Sequence, residues 1–216
     1  MTTNFKKRIL TSLILSLLLI LMMRFDILFI YFFIVFGISS ILEFFNLTNR
    51  IFDKNFTKFS INILFTTFIF IFCLLFVVLS SFFQLKIILF TLLLSCIASD
   101  IGGYIFGNLF KGPKLIKISP GKTISGSLGS FILCSLTFFG IFFYVTDKSN
   151  LFLLLVGVIT SLACQIGDLF FSFLKRKAKL KDTSNFLPGH GGFLDRVDGI
   201  LLGVPFGFTV LIFLLH

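Results

Sequence analysis

Charged side chains are scarce in this chain, and their scarcity excludes an ordinary soluble domain. Only 13% of the 216 residues are charged, whereas 57% are hydrophobic, and the mean hydropathy is +1.09. A composition this apolar is typical of polytopic membrane proteins, in which lipid replaces water around most of the surface. We therefore predict an all-α fold that spans a membrane several times.

Cysteine is also sparse, and its distribution excludes two kinds of cross-linked architecture. The four cysteines lie singly in apolar segments, at Cys73, Cys96, Cys134 and Cys164. A disulfide framework or a zinc site needs cysteines at short, paired spacings. We expect these four to be packing residues.

Apolar runs long enough to cross a bilayer recur along the whole chain. A spanning helix needs about 20 residues, and about seven helices are predicted, with six to nine as the range. The basic start followed by an apolar run resembles a signal peptide, but no small-x-small cleavage motif follows it, so we expect an uncleaved first helix. The predicted spans are Ile9–Met23, Ile27–Leu47, Ile61–Phe83, Ile87–Phe110, Ser125–Val145, Leu151–Leu174 and Gly199–Leu215.

The distribution of basic residues predicts a cytoplasmic N-terminus. With that orientation, all of the 19 Lys and Arg residues except Arg24, Lys86 and Lys148 fall in segments on the inner side, as the positive-inside rule requires. The same bias accounts for most of the net charge of +10. Because insertion alone explains that charge, we expect no nucleic-acid partner.

Acidic residues inside predicted spans are costly unless they face a polar cavity. Asp100 is followed by Tyr104 at i+4 on one helical face, and Asp168 belongs to a polar series with Ser161, Gln165 and Ser172 at helical spacing. For both aspartates we favour a functional role over a structural hydrogen-bonded one. For Glu43, the single Glu of the chain, the two interpretations are equally supported.

Two predicted cytoplasmic loops, at 111–124 and 175–198, carry most of the polar chemistry. The later loop interleaves basic residues with Asp195 and Asp198 and with glycines around His190. That combination suits a polyphosphate and a divalent cation, although a basic run beside a membrane also arises from insertion alone. We divide the chain into N-terminal transmembrane helices, 1–86, and a catalytic transmembrane region, 87–216.

The earlier loop contains Gly121, Lys122 and Thr123, which end a pattern similar to a P-loop. Ile116 stands where that motif requires Gly, so a P-loop is excluded. Two interpretations stay open, namely a phosphate-contacting Lys beside hydroxyls at a helix start and an ordinary helix cap.

The stretch SFLKRKAKLKDTSNFLPGHGGFLDRVD, residues 172–198, resembles the signature of the phosphatidate cytidylyltransferases, also called CDP-diacylglycerol synthases. Asp100–Gly107 resembles that family's D-x-x-x-Y-x-x-G element, and Ser119–Gly126 its S-P-x-K-T-x-x-G element. In two respects the chain departs from the family: Ser125 stands where many members carry an acidic residue, and the N-terminal part is shorter than in many relatives. The signature positions are filled by Ser172, Leu174, Lys175, Arg176, Lys181, Asp182, Ser184, Leu187, Pro188, His190, Gly191, Gly192, Phe193, Asp195, Arg196, Val197 and Asp198.

The resemblance implies a reaction of CTP with phosphatidate that gives CDP-diacylglycerol and pyrophosphate, assisted by Mg²⁺, and it allows a second cation. It implies metal binding by Asp168 and Asp195, with Asp198 and Asp100 as further ligands or as partners of those ligands. The residues expected to act in catalysis are Asp168, Asp195, Asp198, Lys175, Arg176 and His190. Those expected to bind substrate are Lys122, Thr123, Ser119, Ser172, Lys181, Arg196, Gly191, Gly192 and Tyr104.

The resemblance also implies an enzyme of phospholipid biosynthesis in the bacterial inner membrane, with its active site facing the cytoplasm and a homodimer as a candidate assembly. One rival is a CDP-alcohol phosphotransferase, because Asp195 to Gly199 fits D-x-x-D-G, but Leu202 and Gly203 stand where Ala and Arg are required. Another is an ion-coupled transporter using Asp100 and Asp168, which would predict internal repeats that are not evident.

Overall fold

A computed structural model describes residues 3–116, 119–147, 150–184, 186 and 191–215, without the side chains of 3–12 and 120. Within these residues the chain is helical except for one short hairpin and its connections. The helices are α1 (Thr3–Arg24), α2 (Asp26–Ile51), α3 (Asn55–Ser80), α4 (Phe83–Phe110), α5 (Ile124–Thr146), α6 (Leu153–Lys177), α7 (Leu194–Val197) and α8 (Ile200–Leu215), and the strands are β1 (Lys114–Ile116) and β2 (Ser119–Thr123).

The helices have the length and composition of membrane spans. Six segments of the described residues qualify, with mean hydropathies between 1.9 and 2.9, and Leu13–Arg24 forms a shorter apolar helix. The qualifying segments are α2 to α6 and Leu194–Leu215, which includes α7 and α8. These helices confirm the predicted all-α polytopic membrane protein, with a helix number inside the expected range.

The hairpin is the element that the sequence did not predict. β1 pairs with β2 in antiparallel register, with Lys114 opposite Thr123, and Ile124 donates its N–H to Pro113 O at 3.0 Å. The loop between α4 and α5 thus satisfies part of its own backbone, as a segment near lipid must. Strands of three and five residues are too short to show a recognisable alternation of hydrophobic and polar residues.

The chain divides into two compact units. The first unit comprises Met1–Lys86 and Leu174–Val197, and the second comprises Ile87–Phe173 and Asp198–His216. These units are defined by packing, so they do not test the predicted functional boundary at residue 87, which stays a prediction.

Phenylalanine dominates the packing of the first unit. Phe33 and Phe36 of α2 contact Phe76 and Phe72 of α3, with ring centroids 4.9 and 5.7 Å apart. Phe76 is fully buried. Offset and tilted aromatic pairs of this kind add attraction beyond their buried area, so a phenylalanine-rich sequence can hold these two helices together where lipid offers an equally apolar alternative.

Small residues dominate the packing of the second unit. A Cβ atom added to Gly102 of α4 would collide with the carbonyl oxygen of Gly129 on α5, and one added to Gly157 of α6 would collide with Ser135 of α5. Helices with glycine at their contacts approach closely, which strengthens van der Waals packing in membranes. This close approach brings polar groups of α4, α5 and α6 within hydrogen-bonding reach.

Candidate active site

A polar cavity of about 270 Å³ lies within the second unit. Helices α4, α5 and α6 and the β1–β2 hairpin all contribute to its wall, including Asp100, Tyr104, Lys122, Thr123, Gln165 and Asp168. Five of these six residues, all except Gln165, were predicted site residues from separate segments of the sequence. The fold therefore brings together the D-x-x-x-Y, the S-P-x-K-T and the Asp168 elements.

Lys122 and Asp168 form an ion pair in this cavity, between Nζ and Oδ2. The exposed fractions of their side chains are 25% and 33%, so water still reaches both groups. Ser172 Oγ donates to the other oxygen of Asp168 at 3.3 Å. A predicted phosphate-binding cation and a predicted metal-binding carboxylate are thus direct neighbours.

Asp100 and Tyr104 reach the cavity from α4 because they lie one helical turn apart. The Tyr104 side chain is exposed, which leaves its hydroxyl accessible to a ligand. Asp100 lines the same cavity as Asp168, as expected for two carboxylates that would share one cation.

The polar face predicted for α6 is confirmed by its hydrogen bonds to neighbouring helices. The hydroxyl of Ser161 lies 2.8 Å from the hydroxyl of Ser99, which belongs to α4. Ser127 Oγ of α5 donates to Gln165 Oε1 at 2.5 Å. Gln165 Nε2 in turn donates to Ser161 Oγ at 3.2 Å. This network fixes the rotation of α6 and with it the direction of Asp168.

Thr123 caps the start of α5 by accepting the N–H of Gly126 at 3.1 Å. The helix-cap interpretation is therefore correct for Thr123, while Lys122 before it faces the cavity. Ser125, where many family members carry an acid, accepts the N–H of Gly112 at 3.3 Å and lies 3.1 Å from Thr123 Oγ1. Its hydroxyl thus supports the hairpin base. Ser119 begins β2 in the same hairpin.

Asp195 is the centre of a second polar cluster, in the first unit. Its Oδ1 forms an ion pair with Lys175 Nζ at 2.7 Å. Its Oδ2 accepts the Thr183 N–H at 2.8 Å and the Gly192 N–H at 2.9 Å, and it lies 3.0 Å from Thr183 Oγ1. Only 4% of the Asp195 side chain is exposed. This carboxylate therefore connects the end of α6 to both ends of residues 183–194, which we call the glycine-rich segment.

Glu43 of α2 is the residue whose role the sequence left open. It is 5% exposed and accepts four hydrogen bonds, from the Thr183 and Ser184 hydroxyls and from the Phe193 and Leu194 N–H groups. A lone Glu in an apolar span was the available signal, but nothing local in the sequence connects it to donors about 140 residues later.

The remaining predicted residues differ in their surroundings. Arg176 and Lys181 are exposed, and Arg176 lies 3.5 Å from Leu180 O. Asp198 is 9% exposed and accepts the Gly199 N–H at 2.9 Å. Arg196 lies in the single turn of α7.

The glycine-rich segment is only partly described. Gly191 has φ +84°, a conformation that favours glycine, and Gly192 donates to Asp195. His190, with Leu187, Pro188 and Gly189, lies outside the described residues. In the part of the chain that the structure describes, no three His, Cys, Asp or Glu side chains form a metal cluster.

Comparison with known proteins agrees with these motifs. A family model described as the cytidylyltransferase family matches residues 1–214. Three relatives, each named phosphatidate cytidylyltransferase, come from Mycobacterium leprae (strain TN), Rickettsia bellii (strain RML369-C) and Staphylococcus haemolyticus (strain JCSC1435). They are 37%, 39% and 43% identical over 123, 119 and 109 residues, which cover 56%, 51% and 50% of this chain.

The same alignments span 39%, 52% and 42% of those relatives' own lengths. The chain therefore matches about half or less of each relative, whereas the family model extends over nearly all of this chain. The chain belongs to the cytidylyltransferase family.

Proposed function

We propose that this protein transfers a cytidylyl group from CTP to phosphatidate, forming CDP-diacylglycerol and pyrophosphate. The relatives named phosphatidate cytidylyltransferase support this substrate pair. The observation that carries the proposal is the cavity of the second unit, where Asp100, Lys122 and Asp168 from three motifs meet. The whole activity, its substrates and its place in phospholipid biosynthesis belong to the proposal.

The central difficulty of the reaction is electrostatic. An oxygen of the phosphatidate phosphate attacks the α-phosphorus of CTP in line with the departing pyrophosphate, so the bond to pyrophosphate breaks as the new P–O bond forms. Both reactants are anions, and fixed positive groups must reduce their repulsion and stabilise the leaving group. The attacking phosphate oxygen is already ionised at neutral pH, so no side chain has to remove a proton from it.

Lys122 is placed to meet one of these phosphates. Its ammonium group faces the cavity and is held by Asp168, so an arriving phosphate oxygen would compete with that carboxylate for the same donors. The exposed Tyr104 hydroxyl and the backbone of Gly121 lie in the same wall. Ser119 and Thr123 contribute by holding the hairpin and the α5 start in place.

The chemistry of the cavity fits Mg²⁺. Asp100 and Asp168 are hard oxygen donors in one polar cavity that water can fill, and Mg²⁺ commonly binds through one or two carboxylates together with substrate phosphate and water. When bound, Mg²⁺ would supply positive charge beside the transferred phosphoryl group. Asp195 and Asp198 stay predicted ligands, and a second cation stays a prediction.

The cationic side chains of the second polar cluster would bind phosphate groups of the substrates. Arg176 and Lys181 are exposed, while Lys175 is oriented by its ion pair with Asp195. Arg196, Ser172 and the backbone of Gly191 and Gly192 complete the predicted binding set. His190 is proposed to shape the phosphate pocket.

We place the reaction at the cytoplasmic boundary of a bacterial inner membrane. CTP would arrive from the cytoplasm and phosphatidate laterally from the bilayer, which agrees with carboxylates inside predicted spans beside basic loops. A homodimer is part of the proposal by resemblance alone. The family assignment favours cytidylyl transfer over the two rival functions, a CDP-alcohol phosphotransferase and an ion-coupled transporter.

The test is product formation by purified protein in detergent. Labelled CTP with phosphatidate and Mg²⁺ should give labelled CDP-diacylglycerol and one pyrophosphate per product. A phosphotransferase would instead consume CDP-diacylglycerol in the presence of an alcohol, and a transporter would give neither product. Absence of labelled lipid from monodisperse protein, beside an active relative as positive control, would reject the proposed function.

A further inference from the structure

Glu43 accepts four hydrogen bonds, which fill the acceptor sites of its two carboxylate oxygens. Oε1 accepts from Ser184 Oγ at 2.6 Å and from Phe193 N at 2.8 Å. Oε2 accepts from Thr183 Oγ1 at 2.7 Å and from Leu194 N at 2.8 Å. Each oxygen thus receives one hydroxyl from the start of the glycine-rich segment, at Thr183 or Ser184, and one backbone N–H from its end, at Phe193 or Leu194.

This donor set matches an acceptor with two equivalent oxygens. An ionised carboxylate accepts at both oxygens and donates at neither, whereas a glutamine offers one oxygen and one NH₂ group. At this position the NH₂ group would face a backbone N–H, with which it forms no hydrogen bond, and a hydroxyl that would have to turn round to accept from it. The site therefore distinguishes Glu from its isosteric amide by chemistry alone.

Aromatic packing holds the same segment against α2. The Phe193 ring lies 6.0 Å from the ring of Phe32 and 5.8 Å from that of Phe36, measured between centroids. Phe193 is 8% exposed and Leu194 is fully buried. Glu43 consequently lies at an apolar contact, where an unsatisfied donor is expensive.

Thr183 connects Glu43 to the predicted catalytic cluster. Its hydroxyl lies 2.7 Å from Glu43 Oε2 and 3.0 Å from Asp195 Oδ2, and its N–H donates to the same Asp195 oxygen. Asp195 in turn binds Lys175. A shift of Glu43 would therefore be transmitted through one side chain to the carboxylate and its lysine.

We propose that Glu43 is a positioning residue that fixes both ends of the glycine-rich segment and thereby orients Asp195 and Lys175 for cytidylyl transfer. The inference rests on the proposed function for its catalytic part, while the anchoring of the segment is independent of it. It assigns a role in the site to α2, which lies outside the motifs that carry the family resemblance.

The experiment compares Glu43→Gln with Ser40→Ala in the full-length protein. Ser40 lies one turn earlier on α2, is fully buried, and its hydroxyl has no hydrogen-bond partner among the described residues, so its replacement controls for the alteration of a buried polar side chain in the same helix. The first readout is the rate of trypsin cleavage at Lys179 and Lys181. The second is kcat and KM for CTP.

Glu43→Gln should be cleaved about tenfold faster and should lose roughly 10- to 100-fold in kcat, the range typical of residues that orient a catalytic group. Ser40→Ala should match the wild type in both. A purely volume-filling role would leave the isosteric Gln variant unchanged, and that result would overturn the proposal. Wild-type turnover combined with faster cleavage would overturn it as well.

Thr183→Val provides an independent test if Glu43→Gln inserts poorly. This variant removes the Thr183 hydroxyl, which lies between Glu43 and Asp195, and should also lower kcat. The double variant with Glu43→Gln should lose little more activity, because both changes disrupt the same hydrogen-bond network. Additive losses would contradict that network. If the wild type forms no CDP-diacylglycerol, the proposed function fails, whereas faster cleavage of Glu43→Gln would still support the anchoring.

Discussion

Lys122 and Asp168 are joined by an ion pair in the polar cavity of the second unit, although 45 residues separate them in the chain and they were predicted to bind different partners. The pair explains how a lysine and a carboxylate can share a site before substrates arrive. Each neutralises the other, and neither is buried enough to be closed to water. Substrate phosphate and a cation would then replace an interaction that is itself weak in partly solvated surroundings.

Replacing Lys122 should weaken CTP binding. Lys122→Gln removes the positive charge that faces the cavity, so we expect KM for CTP to rise about tenfold or more. Lys114→Gln is the matched control, because Lys114 is an exposed lysine of the same hairpin that does not line the cavity. Steady-state kinetics with both variants checks the prediction. An equal effect of the two substitutions would indicate a general loss of basic charge.

A methyl group at position 192 should disturb the second cluster. A Cβ on Gly192 would collide with Thr183 Oγ1 and lie 2.6 Å from Glu43 Oε2, so Gly192→Ala should reduce turnover by roughly 10- to 100-fold through displacement of orienting groups. Gly140→Ala is the control, since a Cβ there meets nothing within 4 Å. Normal turnover of Gly192→Ala would show that the segment adjusts without cost.

Replacing one partner of the Lys175–Asp195 ion pair should destabilise the protein more than replacing both partners. The exposed fractions of the two side chains are 11% and 4%, and breaking a buried pair by removing one partner costs about 3–5 kcal/mol. We expect Asp195→Asn to lower the free energy of unfolding by more than the double variant Lys175→Met with Asp195→Asn, which removes both charges of the pair. Unfolding in mixed micelles measures this difference. Equal destabilisation by the single and double variants would contradict a dominant charge effect.

The contact between α4 and α5 should not tolerate a larger residue. Gly102→Ala would place a methyl group against the Gly129 carbonyl, and overpacking of this kind costs about 1–3 kcal/mol. The thermal stability of the purified protein should fall in Gly102→Ala and stay unchanged in Gly140→Ala. A stable Gly102→Ala variant would mean that the two helices can separate slightly without penalty.

The sequence predicted the helices well because membrane spans depend on composition over about 20 residues. Asp100, Lys122 and Asp168 were predicted as candidate site residues because each is a polar residue in or beside an apolar span, and their roles stay predictions. Their shared cavity could not be predicted, since it depends on the close glycine contacts between α4 and α5. The hydrogen bonds of Glu43 could not be predicted either, because their donors lie in a distant segment. The strands of the hairpin were too short to show a clear sequence pattern.

The most direct test of the account is Mg²⁺-dependent formation of CDP-diacylglycerol by the wild type, Asp168→Asn and Asp53→Asn. Asp53 is the control because it is an exposed carboxylate between α2 and α3 that has no predicted role in the site. We predict full activity for Asp53→Asn and a loss of about 100-fold or more for Asp168→Asn, with both proteins inserted and monodisperse. Wild-type activity in Asp168→Asn would contradict the central claim that this cavity is the site of cytidylyl transfer.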